Sequence, residues 1–228
     1  MFGAEGNTWQ AIVGASISLW LVHALILMGI RQAALVNVIT TIAKLAPIFI
    51  FIVAVLIAFS LPTFSIDLWG SGAPALGDVM TQVKSTMLVT LWVFIGIEGA
   101  SVVSARAERR ADIGKATILG FAVALSVYLL VSLLSFGVMT QPELAGLPSS
   151  ASMANVLEKA VGPWGSVLVR IGLVVSVAGA FLSWTLFAAE IPYRAAREGM
   201  MPEVFARENA NGSPTGSLWI TNILVQIF

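Results

Sequence analysis

The 228-residue sequence contains no cysteine, a single histidine and few charged residues. Without cysteine it forms no disulfides, no thiolate nucleophiles and no cysteine-ligated metal sites. The one histidine, His23, has no cysteine or nearby carboxylate with which to share a metal ion, and we expect it to pack in the core. No metal site is therefore predicted.

Net charge is also missing, since 12 lysines and arginines balance 12 aspartates and glutamates. A neutral chain offers no basic surface for nucleic acid, so a nucleic-acid partner is not expected. The sequence also lacks the Walker, HExxH, GxSxG and GxGxxG motifs, which argues against ATP hydrolysis, zinc proteolysis and dinucleotide binding. We predict neither an enzyme nor a cofactor.

Apolar residues, by contrast, are abundant. They make up 58% of the chain and charged residues only 11%, compared with roughly 25% charged in an ordinary soluble domain. The mean hydropathy is +0.93. The 20 glycines and 7 tryptophans suit helices that pack closely and anchor at membrane interfaces. The composition predicts an all-α integral membrane protein surrounded by a lipid bilayer.

Five full spans and one shortened span are predicted, because a bilayer core about 30 Å thick requires roughly 20 apolar residues in a helix. A short surface helix is expected before the fifth span, at 151–160. The last span would rise only about 16 Å, so we expect a single transmembrane domain, residues 1–228, that lacks material at both ends. The predicted spans are about 9–29, 34–59, 82–105, 114–139, 164–189 and 218–228.

The distribution of lysine and arginine predicts the orientation, since short cytoplasmic loops are enriched in them. The loops after the third and fifth spans are expected in the cytoplasm, and the loops at 61–81 and 140–163 outside. By alternation Met1 lies outside, so an odd number of spans would precede it if the intact protein begins in the cytoplasm. The cytoplasmic positions are Arg31, Arg106, Arg109, Arg110, Lys115, Arg194, Arg197 and Arg207.

Glu98 is the first candidate for a functional residue, because a carboxylate in a span is costly and usually faces a cavity or a partner. Gly96 and Gly99 flank it, and this stretch is poor helix, so a break is expected there. Broken helices form substrate sites in transporters, where free backbone groups meet charged ligands. The alternative is a tightly packed, kinked helix whose Glu98 lies near the cytoplasmic interface.

Lys44 is the second candidate, since it lies about two turns inside the second span. Pro47, one turn later, loosens the local hydrogen bonding. The ammonium group could take the place of a coupling cation. Alternatively, the side chain could extend to the cytoplasmic headgroups. The sequence leaves both open.

Small residues recur on one face of the fifth span and predict a close approach of another helix. They are Gly172, Ser176, Gly179, Ala180 and Ser183.

Several stretches resemble one transporter family. Residues 85–101, STMLVTLWVFIGIEGAS, are similar to the sixth helix of the amino acid/polyamine/organocation transporters, in particular the basic amino acid/polyamine antiporters. The similarity continues through Arg109 and Lys115. Residues 179–190 (GAFLSWTLFAAE) and 199–214 (GMMPEVFARENANGSP) resemble the arginine/ornithine antiporter branch.

The resemblance implies a LeuT-like inverted-repeat transporter fold that works by alternating access, with helices one and six broken around the substrate. The 228 residues would be helices four to eight and the start of nine of 12, a partial fold. Helices one, three and ten, which complete the pocket in the family, would be absent, and we expect the fragment alone not to transport. Members of this family often form dimers, so the resemblance also implies a homodimer.

The resemblance also implies a substrate site. Trp92 corresponds to the indole that lies over the substrate as a middle gate. Ile95 and Gly96 fall where exposed backbone of the sixth helix meets the substrate's α-amino or carboxylate end. Trp184 corresponds to the eighth-helix indole that packs against the substrate side chain, where cation–π attraction is worth roughly 0.5 to 2 kcal/mol.

Two further positions match residues implicated in coupling. Glu98 corresponds to a carboxylate associated with pH response in the arginine/agmatine relatives. Lys44 resembles a lysine that replaces sodium in proton-coupled members of the superfamily, although the arginine/agmatine relatives lack it.

The resulting expectation is a secondary antiporter of the bacterial inner membrane that exchanges a cationic amino acid, arginine, for ornithine. A transporter of lysine, histidine or a polyamine is an alternative within the family. A membrane scaffold that binds an amino acid or a partner without transporting it is an alternative of another class.

Overall fold

The computed structural model describes residues 8–67, 69, 72, 77–102, 104, 109, 111–147 and 152–227. These residues form helices and turns, with no β-strand among them. A 3₁₀ turn at Glu203–Ala206 precedes the last helix. In chain order the helices are α1 (Trp9–Leu27), α2 (Ile30–Ile57), α3 (Val79–Phe94), α4 (Gly99–Val102), α5 (Ala111–Ser135), α6 (Gln141–Ala145), α7 (Ser152–Val161), α8 (Pro163–Arg197) and α9 (Thr215–Ile227).

Four of these helices are long and apolar enough to cross a membrane: α1, α2, α5 from Asp112, and α8. The predicted all-α membrane fold is confirmed. Helix α3 is apolar but has only 16 residues, and α9 has 13. The surface-helix stretch predicted at 151–160 is helix α7, Ser152–Val161; Ala151 lies outside the described residues.

Helices α2 and α8 extend past one end of their predicted spans, because the charged residues or proline there did not end them. Helix α2 begins at Ile30 rather than 34, directly after Gly29 with φ of 137°, and so includes the charged Arg31. Pro47 lies inside it, as predicted. Helix α8 runs eight residues beyond the predicted 189, through Pro192 to Arg197. The apolar pattern predicted the apolar part of each helix, whereas the helices continue into charged residues.

The third predicted span, 82–105, consists of two helices rather than one. Helix α3 ends at Phe94, and α4 begins at Gly99. The break predicted around Glu98 is therefore confirmed. Ala105 and Phe228, the last residues of the third and sixth predicted spans, lie outside the described residues.

The chain divides into two compact units. The terminal unit comprises the chain up to Lys44 and from Leu173 onward, and the central unit comprises Leu45–Gly172. Helices α2 and α8 each contribute to both. The expectation of one transmembrane domain stays a prediction.

The terminal unit has a small apolar core from α1, α2, α8 and α9, formed by Ile26, Ala33, Leu182, Ala189 and Leu218. The segment between α8 and α9 forms hydrogen bonds with the end of α1. Asn209 donates from Nδ2 to the Leu27 carbonyl at 2.8 Å, and the Ser213 hydroxyl donates to the Ile26 carbonyl at 2.6 Å. These bonds satisfy carbonyls that the end of a helix leaves without intrahelical partners.

The central unit has a core of Phe51, Val55, Val138, Met139, Val156 and Leu157. After α5 the chain turns tightly at Gly137, where an added Cβ would overlap the Phe59 ring. An ion pair of 2.8 Å joins Glu143 of α6 to Lys159 of α7. The short helices α6 and α7 are thus tied together outside the membrane-length helices.

The orientation stays a prediction. Of the arginines on which it depends, Arg106 and Arg110 lie outside the described residues, as does Met1.

Candidate functional site

The break after α3 has a defined backbone conformation. Helix α3 starts at Asp78, whose carboxylate accepts a hydrogen bond from the Thr81 N–H at 2.9 Å. At its other end Ile95 is already extended, with φ of −60° and ψ of 131°. Gly96 follows with φ of 105°, a region that side-chain-bearing residues rarely adopt. The glycine therefore permits the chain to leave the helix here.

The Glu98 carboxylate stabilises this break. Its Oε2 accepts a hydrogen bond from the Gly96 N–H at 3.0 Å. The Glu98 carbonyl accepts bonds from the Ser101 N–H at 2.8 Å and the Ser101 hydroxyl at 2.6 Å. Glu98 is thus an exposed carboxylate that is bound to its own backbone. The structure places it beside unwound main chain, as the sequence led us to expect.

Trp92 lies on the last turn of α3, and Ile95 directly follows the helix as the first residue of the break. The side chain of Trp92 is 77% exposed and that of Ile95 is 45% exposed. The neighbouring Phe94 instead packs against Phe121 and Tyr128 of α5, with ring centroids 5.4 and 5.7 Å apart. One side of this turn is held by α5, while the indole lies on an open side.

Helix α5 also contacts the backbone of the same turn. The Tyr128 hydroxyl donates to the Val93 carbonyl at 3.3 Å. In α3 this carbonyl would bond to the N–H four residues on, at Ile97, but that N–H bonds to Phe94 instead. Tyr128 therefore satisfies a group that the break has freed. The sequence analysis did not identify Tyr128, and no local pattern around it distinguishes it.

Trp184 lies in the middle of α8, in the terminal unit. It is 46% exposed, and its ring meets the ring of Phe187 nearly at a right angle, with centroids 6.0 Å apart. An edge-to-face contact of this kind favours one orientation of the indole.

Lys44 lies on α2 at the boundary of the terminal unit and is half-buried. Among the described residues it makes no ion pair. Both alternatives, a coupling cation and an ammonium that reaches the headgroups, stay open.

Four of the predicted site residues are close in the structure: Trp92, Ile95, Gly96 and Glu98 lie within two turns of one another. The other two, Lys44 and Trp184, belong to the terminal unit, and each unit is described by itself. Within the described part of the chain, no three histidine, aspartate or glutamate side chains converge as they would around a metal ion.

The sequence analysis missed a buried carboxylate. Glu190 of α8 is fully buried and accepts a hydrogen bond from Arg194 Nε at 2.8 Å. Three residues on, the Tyr193 hydroxyl donates to Glu208 at 2.5 Å. The spacing of four between Glu190 and Arg194 is typical of a helical ion pair and could have revealed it.

His23 packs in the core as predicted, with 3% of its surface exposed. Its Nδ1 is hydrogen bonded to Asn222 Nδ2 at 2.9 Å, and its ring lies against Trp20 and Trp219. A second polar contact between the same two helices runs from Trp20 Nε1 to Gln226 at 3.1 Å. These bonds join α1 to α9.

Comparison with known proteins gives matches along the whole chain. Over all 228 residues it is 55% identical to the arginine/ornithine antiporter of Pseudomonas aeruginosa, covering 47% of that protein. It is 54% identical to the putative arginine/ornithine antiporter of Escherichia coli K12, covering 48% of it. The arginine/agmatine antiporter of Chlamydia caviae is 51% identical over 226 residues, which cover 97% of this chain and 46% of the relative.

The chain spans about half the length of these relatives. The model of the family described as "amino acid permease" matches residues 1–228, which confirms the resemblance that residues 85–101, 179–190 and 199–214 indicated. Together with four helices of membrane length, this match makes the chain a multi-pass membrane protein that belongs to the amino acid permease family.

Proposed function

We propose that these residues are part of a secondary antiporter that exchanges arginine for ornithine across the bacterial inner membrane. The observation that carries the proposal is the identity of 55% along the whole chain to a relative named arginine/ornithine antiporter. The broken helix with its exposed indole adds support, since free backbone and an aromatic ring suit an amino acid with a cationic side chain.

In this proposal the break supplies the polar part of the site. Backbone groups of Ile95 and Gly96 meet the α-amino or carboxylate end of the substrate, and Trp92 lies over it. Trp184 stacks on the guanidinium or ammonium group. Glu98 and Lys44 take part in proton or ion coupling. The protein is not an enzyme and uses no cofactor. Transport of one amino acid is driven by the concentration gradient of the amino acid exchanged for it.

Arginine/agmatine exchange is the second candidate, because relatives with that name are up to about half identical to this chain. The two reactions differ in charge. Arginine and ornithine each carry one net positive charge, so their exchange moves none across the membrane. Agmatine lacks the carboxylate and carries two, so its exchange for arginine moves one charge and responds to membrane potential.

The test is uptake of labelled arginine by proteoliposomes that contain the full-length protein carrying this chain. Vesicles are loaded with ornithine, agmatine, lysine, histidine, putrescine or buffer. We expect internal ornithine to stimulate uptake; an effect of an imposed membrane potential on this exchange would report a coupled proton or ion, since the two amino acids carry equal charge. Stimulation by agmatine that depends on potential would favour the second candidate, and stimulation by lysine, histidine or putrescine would assign another substrate of the family.

Absence of uptake under every loading condition would contradict transport and favour a membrane scaffold that binds but does not transport. Vesicles that contain only residues 1–228 are the matched control, and we expect them to be inactive. Cross-linking of the full-length protein in membranes tests the proposed homodimer separately.

A further inference from the structure

Asn37 and Ser183 form a hydrogen bond between α2 and α8 within the terminal unit. The Ser183 hydroxyl lies 2.9 Å from Asn37 Oδ1 and donates to it; it is also 3.1 Å from the Gly179 carbonyl of its own helix. Both side chains are half-buried. In a membrane, hydrogen bonds between polar side chains of different helices contribute to their association.

One turn away the same two helices approach closely. A Cβ added to Gly179 would lie 2.8 Å from the Thr40 Cβ and 2.5 Å from its Oγ1, so the threonine occupies the space that a larger residue at 179 would need. The Thr40 hydroxyl is directed to its own helix, where it donates to the Asn37 carbonyl at 3.0 Å. Contact between the helices at this level is therefore steric, while at Asn37 it is polar.

These two contacts together fix the register of α8 against α2. Positions 37 and 40 on α2 pair with 183 and 179 on α8, in antiparallel order. A steric contact alone sets the distance between two helices, but a directed hydrogen bond one turn away also sets their rotation and sliding. We call the pair Asn37 and Ser183 the clasp.

The clasp lies beside the indole of Trp184. Ser183 directly precedes Trp184, and successive residues of a helix are separated by about 100° and 1.5 Å. Because the helix backbone between them is rigid, the position of Ser183 determines the height and direction of the Trp184 side chain. Phe187 then limits the rotation of the indole through its edge-to-face contact.

We propose that Asn37 is a positioning residue for Trp184, acting through Ser183 to hold the indole where it stacks on the substrate's cationic group. The inference rests on the proposed function. Asn37 itself has no predicted contact with substrate.

The test compares kinetic constants in ornithine-loaded proteoliposomes of the full-length protein. Asn37→Leu and Ser183→Ala each remove the clasp, and we expect each to raise the KM for arginine about threefold with the maximal exchange rate nearly unchanged. The conservative variant Ser183→Thr keeps the hydroxyl, and we expect its KM for arginine to equal that of the wild type. Thr185→Val is the matched control, because the Thr185 hydroxyl donates to a carbonyl of its own helix, that of Phe181, at 2.8 Å.

The double variant Asn37→Leu with Ser183→Ala should have the same KM as either single variant, because both changes break one bond. If the rise in KM in the double variant were instead the product of the rises in the two single variants, the clasp would be overturned. Unchanged KM in both single variants, with a raised KM in Trp184→Ala, would overturn the clasp and leave the proposed function intact. Wild-type protein without ornithine-stimulated uptake would overturn the proposed function and the clasp together. Should Asn37→Leu fail to fold, Ser183→Ala carries the same test with a smaller change.

Discussion

Two glutamates, Glu98 in the break after α3 and Glu190 within α8, have opposite surroundings. Glu98 follows the end of α3, is exposed, and accepts a hydrogen bond from the Gly96 N–H of an unwound segment. Glu190 lies within an unbroken helix of 35 residues, is fully buried, and is paired with Arg194. A carboxylate that is buried and paired contributes to structure, whereas one beside free backbone is available for function.

Breaking the ion pair between Glu190 and Arg194 should have the largest effect on the stability of the protein. Arg194→Ala leaves the fully buried Glu190 carboxylate without this partner, and we expect a loss of about 3 kcal/mol of stability, since removing one member of an ion pair is strongly destabilising when the charge that remains is buried. The midpoint of thermal unfolding in detergent measures it. Glu98→Ala is the matched control, with a much smaller shift expected. Equal shifts in both variants would contradict the distinction between the two glutamates.

The second prediction concerns the proposed stacking residue of α8. Trp184→Ala should raise the KM for arginine up to about 30-fold, the equivalent of a cation–π interaction of ~2 kcal/mol. Arginine uptake over a range of concentrations measures this change. Trp164, another exposed indole at the start of the same helix, provides the control: Trp164→Ala should leave the KM unchanged. A comparable rise in both would mean that the effect arises from helix packing.

A third experiment asks whether Glu98 acts as a hydrogen-bond acceptor or as a charge. Glu98→Ala removes the acceptor of the Gly96 N–H, and we expect exchange to fall about tenfold, as for a lost charge-assisted hydrogen bond worth ~1.4 kcal/mol. Glu98→Gln keeps an oxygen acceptor without the charge. Rates near wild type in Glu98→Gln would identify backbone support as its role, while rates as low as in Glu98→Ala would identify the charge, as coupling requires.

The smallest effect is expected for a third carboxylate, Glu143, in the exposed ion pair of the central unit. The hydrogen bond from Lys159, with those from Thr140, lowers the pKa of Glu143 from 4.5 to about 2. Because the folded protein binds this proton less tightly than the unfolded chain, the contribution to stability is present above pH 4.5 and is lost as the pH falls through about 2.

Thermal unfolding of wild type and Lys159→Gln across that pH range tests the direction in which the contribution of Glu143 to stability changes with pH. The difference between their midpoints should be small at neutral pH, since exposed ion pairs contribute little, and should shrink as the pH falls. A difference that grows toward low pH would contradict the assignment.

Much of the fold could be predicted because lipid imposes simple requirements on sequence. The long apolar runs indicated α1, α2, α5 and α8, and Gly96 and Gly99 around Glu98 indicated the break. Helix ends were less predictable: Pro192 lies inside α8 rather than beyond its end, since neighbouring turns and packing compensate for one missing N–H.

The residues of the candidate site also divide into those that the sequence predicted and those that it could not. Residue type and resemblance selected Trp92, Ile95, Gly96, Trp184, Glu98 and Lys44, and their roles remain proposals. Tyr128 and Asn37 could not be selected, because their partners Val93 and Ser183 are 35 and 146 residues away in sequence. Nothing local distinguishes such residues from other polar side chains in an apolar helix.

The sequence by itself determined that this protein belongs in a membrane, that its secondary structure is helical and that one span is interrupted. Those properties follow from the composition, from long runs without charge and from the presence of glycine at particular positions. All three act locally along the chain. Only the tertiary structure decided that Glu190 is fully buried, which side of the α3 end α5 covers, and which residue of α2 faces Ser183. Those outcomes depend on the register between helices, which is set by many distant contacts at once and is written in no single stretch of sequence.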